Sequence, residues 1–255
     1  MLRSLVGSEM CIRDSYLTVV AYEGETDPSI AEYADNLIWT KIGQVGKALA
    51  YFAEKKSTHI ALAGGVSSVK RLSDISLDAR GAAVLIKARS HKDDLVLRAI
   101  AKEVEADGME MVGCASFTPE WVAEEGMSIG KKLSKSERKD VEEGLSFIRH
   151  VSEFHVGQTV VVKNGVVVAV EAAEGTDAVI LRAGKVAGPN CVVVKISKPN
   201  QDLRFDVPTI GLQTIDSLKE AKTRVFAVEA GKCLIVQKDL VLKAAKEAGI
   251  SLISV

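Results

Sequence analysis

Gly157–Glu171 reads GQTVVVKNGVVVAVE, and this stretch decides the fold. Two Val-rich runs flank Asn164-Gly165, a dipeptide suited to a two-residue hairpin because both central positions need positive φ. Downstream, Gly175–Ala183 reads as a short helix, Val192–Ile196 as a strand and Gln213–Ala221 as a helix. Val225–Val228 and Cys233–Val236 follow as strands, Lys238–Ala248 as a helix and Ser251–Val255 as a closing strand. Alternating strands and helices require crossover connections, and so a mainly parallel sheet. Roughly 100 residues make a credible domain, and His155–Val255 is expected to fold by itself.

Working upstream, Gly130–Val151 is charge-rich and helix-prone, with Ser134 and Glu137 spaced for a capping box. It reads as a solvated helix joining two domains. A second α/β pattern precedes it. Leu17–Ala21 is a strand, Ile42–Ala53 a helix, His59–Ala63 a buried strand stopped by Gly64-Gly65, and Asp93–Asp107 a helix followed by the strand Met109–Cys114. Ala82–Ala88 fits either a strand or a helix. Met1–Ser15 (MLRSLVGSEMCIRDS) lacks periodicity and a signal-peptide core. It reads like translated sequencing-adapter text in place of a lost native start. The expected fold class is therefore α/β. Residues 1–15 form a foreign leader, 16–130 an N-terminal α/β domain, 131–153 a helical linker and 154–255 a C-terminal α/β domain, with a ligand chamber between the two domains.

Composition narrows the functions. Of 255 residues, 33 are Lys or Arg and 34 Asp or Glu, so no global positive field collects nucleic acid or anionic membrane. Any anionic ligand must be held locally. Cys11, Cys114, Cys191 and Cys233 form no CxxC pair, which disfavours a structural zinc site and suits buried thiols in a reducing compartment. No apolar run approaches the roughly 18 residues needed to span a bilayer.

The most distinctive segment is Lys198–Gly211, KPNQDLRFDVPTIG. Its two prolines disfavour a helix. If the chain is extended, Asp202, Arg204 and Asp206 share one face while Leu203, Phe205 and Val207 share the other. Carboxylates and a guanidinium in that arrangement suit a phosphate-bearing ligand and its metal; an ion-paired loop is the plainer alternative. Asp202 and Asp206 would lie about 13 Å apart, too far to share one Mg²⁺ ion whose ligands sit near ~2.1 Å. Glu174-Gly175-Thr176-Asp177 opens a helix with N–H groups, a hydroxyl and a carboxylate, suited to phosphate or metal, or to a plain cap. Gly64 and Gly65 end a strand where α/β folds place ligands, or form an ordinary turn. Asp93-Asp94 complements a helix dipole. His91, His150 and His155 have no partner that marks a base or a ligand. No Walker A, GxSxG or complete GxGxxG motif is present.

Three motifs in order, EGTDAVILRAG at Glu174–Gly184, KPNQDLRFDVPTIG and AVEAGKCLIV at Ala227–Val236, together with the softer IGQVGKALAYF and IALAGGV, resemble the LpxI family. These are the bacterial UDP-2,3-diacylglucosamine pyrophosphatases of lipid A biosynthesis. The resemblance runs from about Tyr16 to Val255. It implies two domains around a chamber holding a lipid-linked nucleotide. It also implies hydrolysis at the α-phosphate to UMP and 2,3-diacylglucosamine 1-phosphate (lipid X), with a divalent cation, usually Mg²⁺. It further implies a cytoplasmic enzyme with at most peripheral contact with the inner face of the inner membrane and no nucleic-acid partner, and it leaves a homo-oligomer open. The first strand and Gly-rich turn with which family members open, of the form GLIAGxGxLP, are absent here. Within that frame Asp206 is the first choice for the essential carboxylate, as metal ligand or orienter of water, with Asp202 and Asp177 next. Arg204 and Lys198 would stabilise phosphate charge. Thr176 and Gln201 would bind substrate, as would the backbone at Gly64, Gly65 and Gly175. A non-catalytic nucleotide- or lipid-binding protein and a Rossmann-like oxidoreductase are the competing readings.

Overall fold

The computed structural model describes residues 16–64, 76–88, 93–151, 154, 156–199 and 201–255. The chain divides into two compact units, Met1–Thr118 with Arg204–Asp206, and Pro119–Leu203 with Val207–Val255. The division thus falls ahead of the charge-rich helix rather than within it.

The first unit carries two parallel strand pairs among its described residues. β1 (Thr18–Tyr22) pairs with β2 (Asn36–Thr40), and β3 (His59–Ala61) pairs with β4 (Glu110–Val112). Helices α1 (Val45–Glu54), α2 (Ala79–Ala88) and α3 (Asp93–Ala106) complete it. The undecided segment 82–88 is helical. In β3 only Ile60 is buried, with His59 and Ala61 exposed, so the expected fully buried strand is corrected. Its strand neighbour among the described residues is β4. Leu49, Ile60, Ala101, Val104, Met109 and Met111 form the core beneath these elements, with Phe205 packed against it. Arg80 binds α2 to α3, donating to Glu103 Oε2 at 2.9 Å and to Asp107 Oδ2 at 2.6 Å.

The second unit is built on a six-stranded sheet ordered β5-β12-β10-β8-β6-β7. These strands are β5 (Ser128–Ile129), β6 (Thr159–Lys163), β7 (Val166–Val170), β8 (Val192–Lys195), β10 (Val225–Val228) and β12 (Ser251–Ser254). The central β8, β10 and β12 run parallel, flanked by antiparallel partners on both sides. The hairpin forms as its sequence requires, with Asn164 at φ 52° and Gly165 at φ 76°. A two-stranded pair, β9 (Thr209–Ile210) with β11 (Leu234–Ile235), stands apart.

Both faces of the six-stranded sheet are covered, which is why its strands read as near-continuous Val runs. On one face α5 (Thr176–Ala187), α6 (Leu212–Glu220) and α7 (Lys238–Glu247) bury Val179, Ile180, Leu218 and Val241 against Val161, Val193 and Phe226. On the other, α4 (Lys135–Val151) buries Val141 and Ile148 against Val160, Val162, Val192, Val194 and Val225. The expected solvated linker helix is therefore a sheet-packing element. Its buried positions, Asp140, Val141, Gly144 and Ile148, are joined on the core by the partly buried Leu145, Phe147 and Val151, while the remaining surface carries the charges that suggested a tether. At Gly144 an added Cβ would lie 2.7 Å from Val194 Cγ2, so only glycine permits this approach. The capping box is present: Ser134 N–H donates to Glu137 Oε2 at 2.6 Å, and Glu137 N–H to Ser134 Oγ at 3.2 Å. Buried Asp140 accepts from the N–H groups of Asn164 at 2.9 Å and Gly165 at 2.6 Å, fastening α4 to the hairpin turn.

Candidate functional site

In the second unit the carboxyl ends of β8 and β10 gather buried polar groups, at the edge where open α/β sheets hold ligands. Lys195 ends β8 and is 6% exposed. Its Nζ donates to Thr176 Oγ1 at 2.6 Å, bringing the start of α5 to this edge. Thr176 in turn donates to Glu171 Oε1 at 3.2 Å, and its oxygen lies 3.3 Å from Thr159 Oγ1. Glu171 is buried just beyond β7 and also accepts from the Gln158 N–H at 3.1 Å. Gly157 lies so close to it that an added Cβ would sit 2.3 Å from Glu171 Cγ.

One loop further, Ser197 donates its N–H and hydroxyl to Glu229 Oε2 at 2.7 and 2.5 Å, tying together the segments that leave β8 and β10. Lys232 donates to the other oxygen at 2.9 Å. Burial pushes the Glu229 carboxyl up, but the Ser197 hydroxyl and N–H and the Lys232 ammonium outweigh it, and the group titrates below the usual carboxylate range.

Gly175 precedes α5 with φ 84° and ψ 169°, a conformation reserved for glycine. Gly175 takes the N-cap position without a side chain to offer, so among the described residues no side-chain hydrogen bond reaches the first-turn N–H groups of this helix. Asp177 Oδ1 is buried without a hydrogen-bond partner. Lys198 and Gln201 close a turn on each other, the Lys198 N–H donating to Gln201 Oε1 at 2.6 Å and the Gln201 N–H to the Lys198 carbonyl at 3.1 Å.

The extended rail expected for Asp202, Arg204 and Asp206 is corrected. The chain turns at 203–205, so these side chains do not alternate along a strand. Asp202 groups with the second unit, while Arg204 and Asp206 group with the first. There the turn seats Phe205 on the first unit's core, and Arg204 Nη1 donates to Glu105 Oε1 at 2.9 Å. Gly64, at φ 92°, follows β3 with open space where a Cβ would be. Gly65, His91, His155 and Cys11 lie outside the described residues, as do the side chains of Asp93 and Asp94. Cys191 and Cys233 are buried free thiols, and burial pushes Cys233 up to about 12.

Among the described residues no group of three or more His, Cys, Asp or Glu side chains is assembled to hold a metal. Mg²⁺ is commonly held by one or two carboxylates, with water and substrate phosphate supplying the rest. Asp177, with its orphaned buried oxygen, fits that role.

These features define a two-unit α/β protein whose second unit presents a buried, charged site suited to an anionic ligand. The LpxI N-terminal domain profile matches residues 7–121, beginning inside the stretch expected to be foreign, and the LpxI C-terminal domain profile matches 124–253. The chain is 33% identical over 241 residues to the UDP-2,3-diacylglucosamine pyrophosphatase LpxI of Caulobacter vibrioides, covering 90% of this chain and 85% of that protein. The chain belongs to the LpxI family.

Proposed function

We propose that this protein hydrolyses the pyrophosphate bond of UDP-2,3-diacylglucosamine, giving UMP and 2,3-diacylglucosamine 1-phosphate. The observation that carries the reading is the family match across both halves, joined to a relative named for that activity. The buried polar edge of the second unit supports it, since a phosphoric anhydride needs charge stabilisation away from bulk water.

In this reading Asp206 is the essential carboxylate that orients the attacking water, with Asp202 supporting it. Asp177 would hold a divalent cation, Mg²⁺ by chemistry, which when bound neutralises phosphate charge. Lys198 and Arg204 stabilise phosphate oxygens; Arg204 would exchange its Glu105 partner to do so. Gln201 shapes the Lys198 turn, while Gly64, Gly65 and Gly175 let backbone approach the ligand. Thr176 serves indirectly, because its hydroxyl proton is committed to Glu171. Among the described residues no helix is long and apolar enough to cross a membrane. We place the protein in the cytoplasm, meeting its acylated substrate by peripheral contact with the membrane.

Incubation with UDP-2,3-diacylglucosamine and Mg²⁺ should release UMP and the lipid 1-phosphate together. In H₂¹⁸O, attack at the α-phosphate places the label in UMP. Label in the lipid 1-phosphate would move the attack to the β-phosphate and leave the products unchanged.

A further inference from the structure

Lys195 is a cation that the protein buries and only partly satisfies. An ammonium has three N–H donors. One goes to Thr176 Oγ1, and no other hydrogen bond or ion pair to Lys195 is present among the described residues. A buried charge is costly unless it is paired and fully hydrogen-bonded. Among the described residues the one acid hydrogen-bonded through to it is Glu171, one hydroxyl removed, and that carboxylate is already shared between Thr176 and the Gln158 N–H. Two ammonium protons therefore remain available beside the start of α5, whose 12 residues aim uncapped N–H groups and the positive end of a helix dipole at the same place. Gly175 keeps that approach free of a side chain, since nothing lies within 4 Å of where its Cβ would be.

We propose that Lys195, tethered by Thr176 at the open start of α5, is an anion-binding site that takes a phosphate group. The assignment deepens the reading above, because it rests on a phosphate-bearing ligand and names the buried cation that receives it. Glu171 holds Thr176, Thr176 holds the ammonium, and the two free N–H donors point the ligand's phosphate oxygens into place. Asp177 on the same turn opposes a bare anion, which a divalent cation would relieve.

The test compares the full chain with Lys195→Met and Thr176→Val by calorimetry and thermal unfolding at fixed ionic strength. Inorganic pyrophosphate, UMP and uridine are the probes, each with Mg²⁺ and with a chelator. The unaltered chain should bind pyrophosphate or UMP more tightly than uridine, in at least the Mg²⁺ form, and its melting temperature should rise accordingly. UMP without pyrophosphate would assign the site to a nucleotide phosphate; both together would assign it to phosphate in general. Lys195→Met should lose at least about tenfold in phosphate affinity, the scale of a charge-assisted hydrogen bond, with uridine unchanged. Its ligand-free melting temperature should not fall, since an under-paired charge has been removed. Thr176→Val, which keeps the charge but frees it, should lose less, and it carries the test alone if Lys195→Met does not fold. Equal phosphate affinity in the variant chains, or no preference for phosphate in the unaltered chain, would overturn the proposal. Phosphate binding without release of UMP from UDP-2,3-diacylglucosamine would instead sink the proposed activity and leave this site standing.

Discussion

Thr176 has a single hydroxyl proton, and Glu171 takes it. That one commitment turns a residue expected to touch substrate into the post that holds Lys195. Residue roles of this kind are set by contacts between distant strands, so the motif around Thr176 was legible while its use was not. Lys195 itself was missed because a lysine closing a Val run resembles an ordinary solvated strand end. Asp206 carries the chemistry in the proposed mechanism. Asp206→Ala and Asp206→Asn should each cut kcat by about a hundredfold or more with the melting temperature kept, and near-normal turnover in either would remove Asp206 from that role. Glu229 makes a pH-dependent prediction. Its folded pKa lies below the usual value, so the stability it adds is present above the unfolded pKa of about 4.3 and is lost as pH falls through the folded value. Glu229→Gln should therefore be less stable than the unaltered chain at pH 7, by roughly 1–3 kcal/mol, and the gap should close towards pH 3. A gap that does not change with pH would contradict this account.

At the scale of elements, the hairpin and the parallel strands of the second unit could be read from Val runs and one Asn-Gly turn, because both faces of that sheet are buried. The strand Asn36–Thr40 escaped notice: its first four residues are half-buried, leaving no alternation to mark it. Helix α4 was misplaced for a related reason. Its apolar contacts, Val141, Leu145, Phe147, Ile148 and Val151, are interspersed with charges, and one buried position is Gly144, which carries no hydrophobic signal. The sign of a single substitution settles its role. On a solvated helix Gly144→Ala would stabilise by roughly 0.5–1 kcal/mol. Packed on Val194 and Val162, it should instead destabilise by about 1–3 kcal/mol, measured by chemical denaturation.

For the whole molecule, a net charge of -1 means that the proposed phosphate ligand would have to be captured by local geometry rather than by a general field. The packing of α4 on the sheet predicts, against the sequence expectation, that His155–Val255 does not fold alone. Such a fragment would bare Val160, Val162, Val192, Val194 and Val225. A fragment of residues 119–255 should unfold cooperatively, whereas 155–255 should aggregate or bind dyes specific for exposed apolar surface. Cooperative unfolding of the shorter fragment would return α4 to the status of a tether. The 119–255 fragment keeps Arg204–Asp206 but lacks the first-unit core on which Phe205 is seated, so it should also turn over UDP-2,3-diacylglucosamine far more slowly than the full chain. The most direct measurement of the central claim is product analysis after the purified full chain meets UDP-2,3-diacylglucosamine and Mg²⁺. Equal amounts of UMP and 2,3-diacylglucosamine 1-phosphate are predicted; release of UDP with the free sugar lipid, or substrate left intact, would contradict it.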